Sequence, residues 1–289
     1  MVTLVFNLST NSHITTFAQE KELALKVNTI APAKEEELTL KVNTKQLSKE
    51  KQPTDKVDTT LTPKEEPVYK ADDKKAEQQD QTLPRIGIDV SYHNLDIDWQ
   101  AVKDSGIQFA IIRTSYGWEL WDKQTDRKLR DNINGAKSVG MPIGAYHYSY
   151  ATTQEEALKE ADFFITRLRW TQWEYPVFFD FEDRCQKSLS PEQKSDIIVT
   201  FINRLRQAGY YAGYYTFLNR QRYELDMSKL QGQNLWVAHW SPTCDCQVPY
   251  GMWQYTSDGS VNGINGRVDM NYCYVDYPTI IKNNHLNGF

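Results

Sequence analysis

The stretch YPVFFDFED, residues 175–183, joins a strand-forming apolar run to three carboxylates, Asp180, Glu182 and Asp183. Aromatic and β-branched residues suit a buried strand. An unpaired buried carboxylate is costly, so a strand ending in acids has a chemical purpose. Side chains alternate along a strand, which puts Phe178, Asp180 and Glu182 on one face and Phe179 and Phe181 on the other. The phenylalanines fit a dry layer beneath helices, leaving Asp180 and Glu182 to face an opening. Asp183, at the strand-to-loop junction, reads as a loop or capping residue.

Two further acids end strands in the same way, Asp89 in GIDVS and Asp269 in RVDMN. Either alone fits an ordinary turn residue. Together with the D-x-E pair they form a cluster that raises its members' pKa values, especially beside apolar walls. A carboxyl group kept protonated near neutral pH beside an ionised partner is what cleavage of a glycosidic bond requires. Clustered carboxylates can also bind Ca²⁺ or Mg²⁺, but no calcium-loop spacing accompanies them, so metal ranks below acid catalysis and no cofactor is expected. Aromatic residues near strand ends offer flat faces and OH or NH groups for sugars. Tyr116, Tyr146, Tyr148, Tyr215, Trp240 and Trp253 are the candidates for substrate binding. His147 and His239 alternate with aromatics and read as packing or positioning residues. Neither belongs to a nucleophile motif, so acyl transfer is unsupported.

The elements that position these residues lie after residue 84. Short apolar strands at 85–92, 108–117, 142–150, 175–183 and 210–219 alternate with helix-length amphipathic segments at 98–106, 126–140, 153–169 and 190–209. The last of these has Ser190 as its cap, Pro191 in its first turn and Gly209 at its end. Strands at 234–241, 251–257 and 267–274 follow, with gaps too short or irregular for full helices. Alternating strands and helices predict a parallel sheet. Eight strands in this length fit an α/β fold, a closed TIM-like (β/α) barrel that has lost its later helices. An open doubly wound sheet is the alternative, but no glycine-rich phosphate loop follows the first strand. In a closed barrel the first and eighth strands are neighbours, so Asp89 and Asp269 meet.

The chain has 289 residues and a net charge of −5. No basic run predicts nucleic-acid binding, and no apolar run reaches membrane-spanning length. All 14 glycines, all 8 tryptophans and all 4 cysteines fall after residue 84. Residues 1–84, rich in Lys, Glu, Gln, Thr and Pro, are expected to be a disordered tail, and 85–289 the catalytic domain. The tail carries a near-repeat, ELALKVNT (22–29) and ELTLKVNT (37–44), and residues 1–18 read as a degenerate signal peptide. Cys185, Cys244, Cys246 and Cys273 make an even count compatible with an oxidising compartment, with buried free thiols as the alternative.

In their order, GIDVSYHNLDIDWQAVKDSGIQFAIIRTSYG, MPIGAYHYSY, YPVFFDFED, LWVAHW and GMWQYTSDGSVNGINGRVDMNYC closely resemble the family-25 glycoside hydrolases, lysozymes acting as 1,4-β-N-acetylmuramidases on peptidoglycan. The resemblance spans about residues 85–280. It implies an irregular barrel of about five βα units followed by three strands. It also implies that Glu182 is the general acid and that Asp180 assists the anomeric centre, by orienting the substrate's 2-acetamido group or by direct attack. Asp89 and Asp269 would position substrate and tune that pair. The implied protein is a secreted or wall-associated monomer whose partner is cell-wall peptidoglycan. The Cys244/Cys246 pair departs from the family pattern, and a link from Cys185 or Cys273 to that loop is the pairing to look for.

Overall fold

The computed structural model describes residues 83–289. The readings of the tail, its repeat and its leader-like start fall on residues 1–82 and lie outside the described residues. In chain order the elements are β1 (Arg85–Val90), α1 (Trp99–Asp104), β2 (Phe109–Tyr116), α2 (Leu129–Ser138), β3 (Ile143–Tyr148), α3 (Gln154–Leu168) and β4 (Val177–Asp180). They continue as α4 (Pro191–Gln207), β5 (Ala212–Phe217), α5 (Leu218–Tyr223), β6 (Asn234–Ala238), β7 (Met252–Gly259), β8 (Val268–Cys273) and α6 (Tyr277–Asn283). The strands close into a barrel in the order β1 to β8. Five βα units followed by three strands is the anticipated pattern. The terminal α6 was not anticipated.

The sheet is not wholly parallel. Strands β1 to β7 pair in parallel, whereas β8 runs antiparallel to both β7 and β1. The reason lies in the connection. A parallel return needs a crossover of roughly a dozen residues or more, and residues 260–267 are too few, so the chain makes a hairpin. Reversal leaves the closure intact, and Asp89 sits directly opposite Asp269 across the β1–β8 seam.

Helix boundaries follow local chemistry. Ser190 and Gln193 form a reciprocal capping box at the start of α4, with Pro191 in its first turn, and Gly209 adopts φ +85° just past its end. Alternation then divides the core in two. Phe179 and Phe181 face outward, where Phe179 stacks on Phe201 of α4 with ring centroids 3.9 Å apart. Phe109, Ile111, Phe178, Trp236 and Met252 face inward and fill the barrel below its mouth. This apolar floor excludes water from beneath the acids one layer above.

Gly87 on β1 pairs in register with Phe109, and a Cβ at position 87 would run into the Phe109 ring. Gly87→Ala is therefore expected to overpack the floor and cost about 1–3 kcal/mol. Urea unfolding checks this, with a lowered midpoint at unchanged m. A midpoint equal to that of the parent would show that the floor yields without strain.

Candidate active site

A cavity of about 690 Å³ opens at the mouth of the barrel, where the parallel strands end. Asp89, Asp180, Glu182 and Asp269 all line it, together with Tyr146, Tyr148, Tyr215 and Trp240. Three strands distant in sequence, β1, β4 and β8, thus deliver one ring of four carboxylates. Asp180 is the last residue of β4, and Glu182 follows two residues on, still on the inward side. Asp180 Oδ1 and Glu182 Oε2 are buried and have no hydrogen-bond partner in the protein. Each is an acceptor, or when protonated a donor, left free for a ligand.

A polar network holds the opposite wall. Asp89 Oδ2 accepts from Gln254 Nε2 at 3.0 Å and from Asn271 Nδ2 at 2.9 Å. Gln254 Oε1 in turn accepts from the Tyr215 hydroxyl and from Trp240 Nε1, both at 3.0 Å. Asn271 Oδ1 accepts from Trp236 Nε1 at 2.8 Å. Both amides use both ends, so their orientation is fixed and Asp89 is held rigidly. Gln254, Asn271 and Trp236 were not singled out in the sequence. Their inward parity on β7, β8 and β6 was the available signal.

The electrostatics follow from this burial. Desolvation raises Glu182 to about 7, aided by Asp269 and opposed by Arg220 and the nearby Tyr215 hydroxyl. Desolvation, then Glu182 and Asp89, push Asp180 well above the carboxylate range, against the pull of Arg113 and Arg220. Asp89 is raised well above it by burial and by Asp269, and Asp269 is raised to about 6 by burial against Arg267. Like charges this close cannot all ionise together, so near neutral pH the ring retains protons.

Two arginines set the flanks. Arg113, inward on β2, is held by Asp126 through Nε at 2.9 Å, while its buried Nη2 has no partner and Arg113 lines the cavity. Arg220, on α5, works from behind. Its Nη1 donates to Phe181 O at 3.3 Å and Gln186 Oε1 at 2.8 Å, and its Nη2 donates to Asp183 O at 3.1 Å. The carbonyls on both sides of Glu182 are therefore clasped by one guanidinium. Asp183 completes the loop, accepting from Cys185 N at 2.9 Å and from the Tyr148 hydroxyl at 2.9 Å, in keeping with its reading as a capping residue.

Residues 88–264 match the sequence profile described as "Glycosyl hydrolases family 25". The chain belongs to glycoside hydrolase family 25. Its relatives include the autolytic lysozyme of Clostridium acetobutylicum, 30% identical over 187 residues that cover 64% of this chain and 54% of the relative. The chain thus spans about half the length of that protein. Among solved structures, the modular autolysin LytC of Streptococcus pneumoniae superposes with a TM-score of 0.59 at 29% identity, over 66% of this chain and 46% of that one. The bacterial lysozyme of Streptomyces coelicolor gives 0.59 at 26%, over 70% and 99% respectively. The profile match ends before β8, whose Asp269 and Asn271 reach the cavity and Asp89 through strand pairing.

Two of the expected sugar-binding aromatics lie outside the cavity. Trp253 is buried in the outer layer, donating Nε1 to His239 O at 2.8 Å and packing on Tyr272. Strand alternation explains the displacement, since Gln254 takes the inward position and its neighbour must face out. Tyr116 follows a register shift in β2, and its hydroxyl donates to Lys123 O at 2.9 Å. His147 is buried, with Nδ1 2.9 Å from Ser115 Oγ and Nε2 3.5 Å from Glu160, so it serves packing as expected. The four cysteines are all free thiols, and the link sought from Cys185 or Cys273 to the Cys244–Cys246 loop is not formed. Among the described residues no group of three or more His, Cys, Asp or Glu side chains is arranged to hold a metal ion.

Because Glu182 moves from an ordinary 4.5 to about 7, the folded protein binds more protons than the unfolded chain between those values. Its contribution to stability is full below about 4.5 and is lost as pH rises through about 7. Glu182→Gln, which cannot ionise, is expected to be more stable than the parent above about pH 7, the gap closing towards about pH 4.5. Urea midpoints across that range check it, and a gap independent of pH would refute the burial argument. Removing the positive charge of Arg220 is expected to raise Glu182 beyond about 7, whereas Arg220→Lys keeps it lower. Carboxyl ¹³C NMR titration reads this directly, and an unmoved Glu182 in Arg220→Gln would remove Arg220 from the account.

Proposed function

We propose that this family-25 chain is a muramidase that hydrolyses the β-1,4 bond between N-acetylmuramic acid and N-acetylglucosamine in peptidoglycan. The observation that carries the reading is Glu182, a carboxyl group raised to about 7 inside a cavity walled by three other acids and by aromatic rings. Protonation of the leaving oxygen needs such a group at neutral pH. Glu182 then acts as general acid, and its partnerless Oε2 is available to the glycosidic oxygen. Asp180 assists the anomeric centre by orienting the substrate's own 2-acetamido group, whose carbonyl oxygen attacks C1 with retention. Asp180 Oδ1, buried and unpaired, suits a hydrogen bond to the acetamido N–H. Asp89 and Asp269 hold the sugar, and the charge of Asp269 helps to keep the proton on Glu182. Tyr146, Tyr148, Tyr215 and Trp240 contact the sugar rings. Water, activated by the deprotonated Glu182, then completes hydrolysis. A substrate of this kind places the action of residues 85–289 at the bacterial wall, outside the cytoplasm.

Borohydride-reduced digests of purified peptidoglycan, read by mass spectrometry, are expected to show new muramitol ends. New glucosaminitol ends would identify a different bond, and absence of products would overturn the assignment. Glu182→Gln is expected to lose about 10²–10⁴ in kcat while keeping its circular-dichroism spectrum. In the parent, activity should fall as pH rises through about 7, because the acid form is then depleted.

A further inference from the structure

Beside the cavity, a set of aromatic rings continues outward where no catalytic group lies. Tyr148 lines the cavity, and its ring centroid is 5.4 Å from that of Tyr150. Tyr150 is in turn 6.4 Å from Tyr116, over whose ring the guanidinium of Arg113 sits at 5.7 Å. The hydroxyls of Tyr148 and Tyr116 are committed to Asp183 and Lys123 O, so what these residues present is ring surface and not proton chemistry. Tyr150 itself is 41% exposed. An exposed aromatic side chain is ordinarily left free to move, yet the backbone of this one is tied on both sides. Its N–H donates to the buried Glu160 at 2.8 Å, and its carbonyl accepts from Cys185 Sγ at 3.4 Å. Gly117, at φ +53°, lies against the Tyr150 ring, where a Cβ would approach Tyr150 Cδ2 to 3.0 Å and Gln124 Nε2 to 2.5 Å. Glycine thus permits the close packing that steadies the ring from one edge while its outer surface stays open.

The geometry points to a distal saccharide subsite on Tyr150 and Tyr116, continuous with the cavity through Tyr148, that takes a sugar residue of a long glycan strand beyond those bound at the acids. This rests on the muramidase reading and names what that reading leaves open, a preference for polymer over short oligosaccharide. Aromatic rings match the apolar faces of pyranose rings without demanding a particular substituent, as a repeating strand requires. A fixed ring also saves the entropy of ordering a mobile one upon binding.

The test compares Tyr150→Ala with the parent on two substrates, peptide-free glycan strands and a tetrasaccharide of alternating N-acetylglucosamine and N-acetylmuramic acid. On strands, kcat/KM is expected to fall about five-fold, through KM with kcat unchanged, as loss of one stacking contact implies. On the tetrasaccharide both constants should remain at parental values, and Tyr150→Phe should restore activity on strands. Equal losses on both substrates would make Tyr150 a structural residue, and no loss on strands would leave the shelf without a ligand; either overturns the subsite. Failure of the parent to cleave the tetrasaccharide as well as the strands would instead strike the muramidase reading.

Discussion

Closure of the sheet between β1 and β8 is the constraint on which the cavity depends. Without that seam Asp89 and Asp269 lie at opposite ends of the domain's sequence, and Asn271 has no carboxylate to hold. Closure also creates the electrostatic difficulty, since it drives four acids into one desolvated mouth. Raising Glu182 from 4.5 to about 7 corresponds to a cost on the order of 3 kcal/mol at high pH. Fully burying one large apolar side chain contributes roughly 1.5–3 kcal/mol. One or two residues of the inward floor formed by Phe109, Ile111, Phe178, Trp236 and Met252 therefore offset that cost. The apolar layer and the acidic layer are two halves of one arrangement, the lower making the upper tolerable.

Charge is then divided by position. Arg113 and Arg220 both favour the ionised form of Asp180, but only Arg220 pulls on Glu182 among the leading influences. Asp269 pushes Glu182 the other way. Glu182 and Asp180 thus receive different surroundings although one residue separates them. Arg220 has a mechanical part as well, because its clasp on Phe181 O and Asp183 O fixes the backbone that carries Glu182. A side chain on α5 therefore governs both where Glu182 stands and how firmly it keeps its proton.

Much of this was legible in the sequence. The D-x-E parity, the inward turn of Asp180 and Glu182 and the meeting of Asp89 with Asp269 all follow from period-two alternation and a closed sheet. Parity failed where two neighbours were both plausible. In GMWQYTS the aromatic Trp253 drew attention, while the inward residue is Gln254, which anchors Asp89. The antiparallel β8 was readable from the short 260–267 connection, a length signal outweighed by the repeated alternation before it. Arg220 offered no local signal. Its role arises from where α5 lies against the end of β4, a tertiary fact with no trace in FLNRQRYEL, residues 217–225.

A single residue, Phe181, stands between Asp180 and Glu182. Phe181 is locked outward beneath the helices, so the two acids are spaced by the pleat itself. One residue inserted there would reverse the sides, sending Glu182 into the greasy layer and turning a phenyl ring into the mouth. The interval between these two positions is thus set by strand geometry and not by the loops around the mouth.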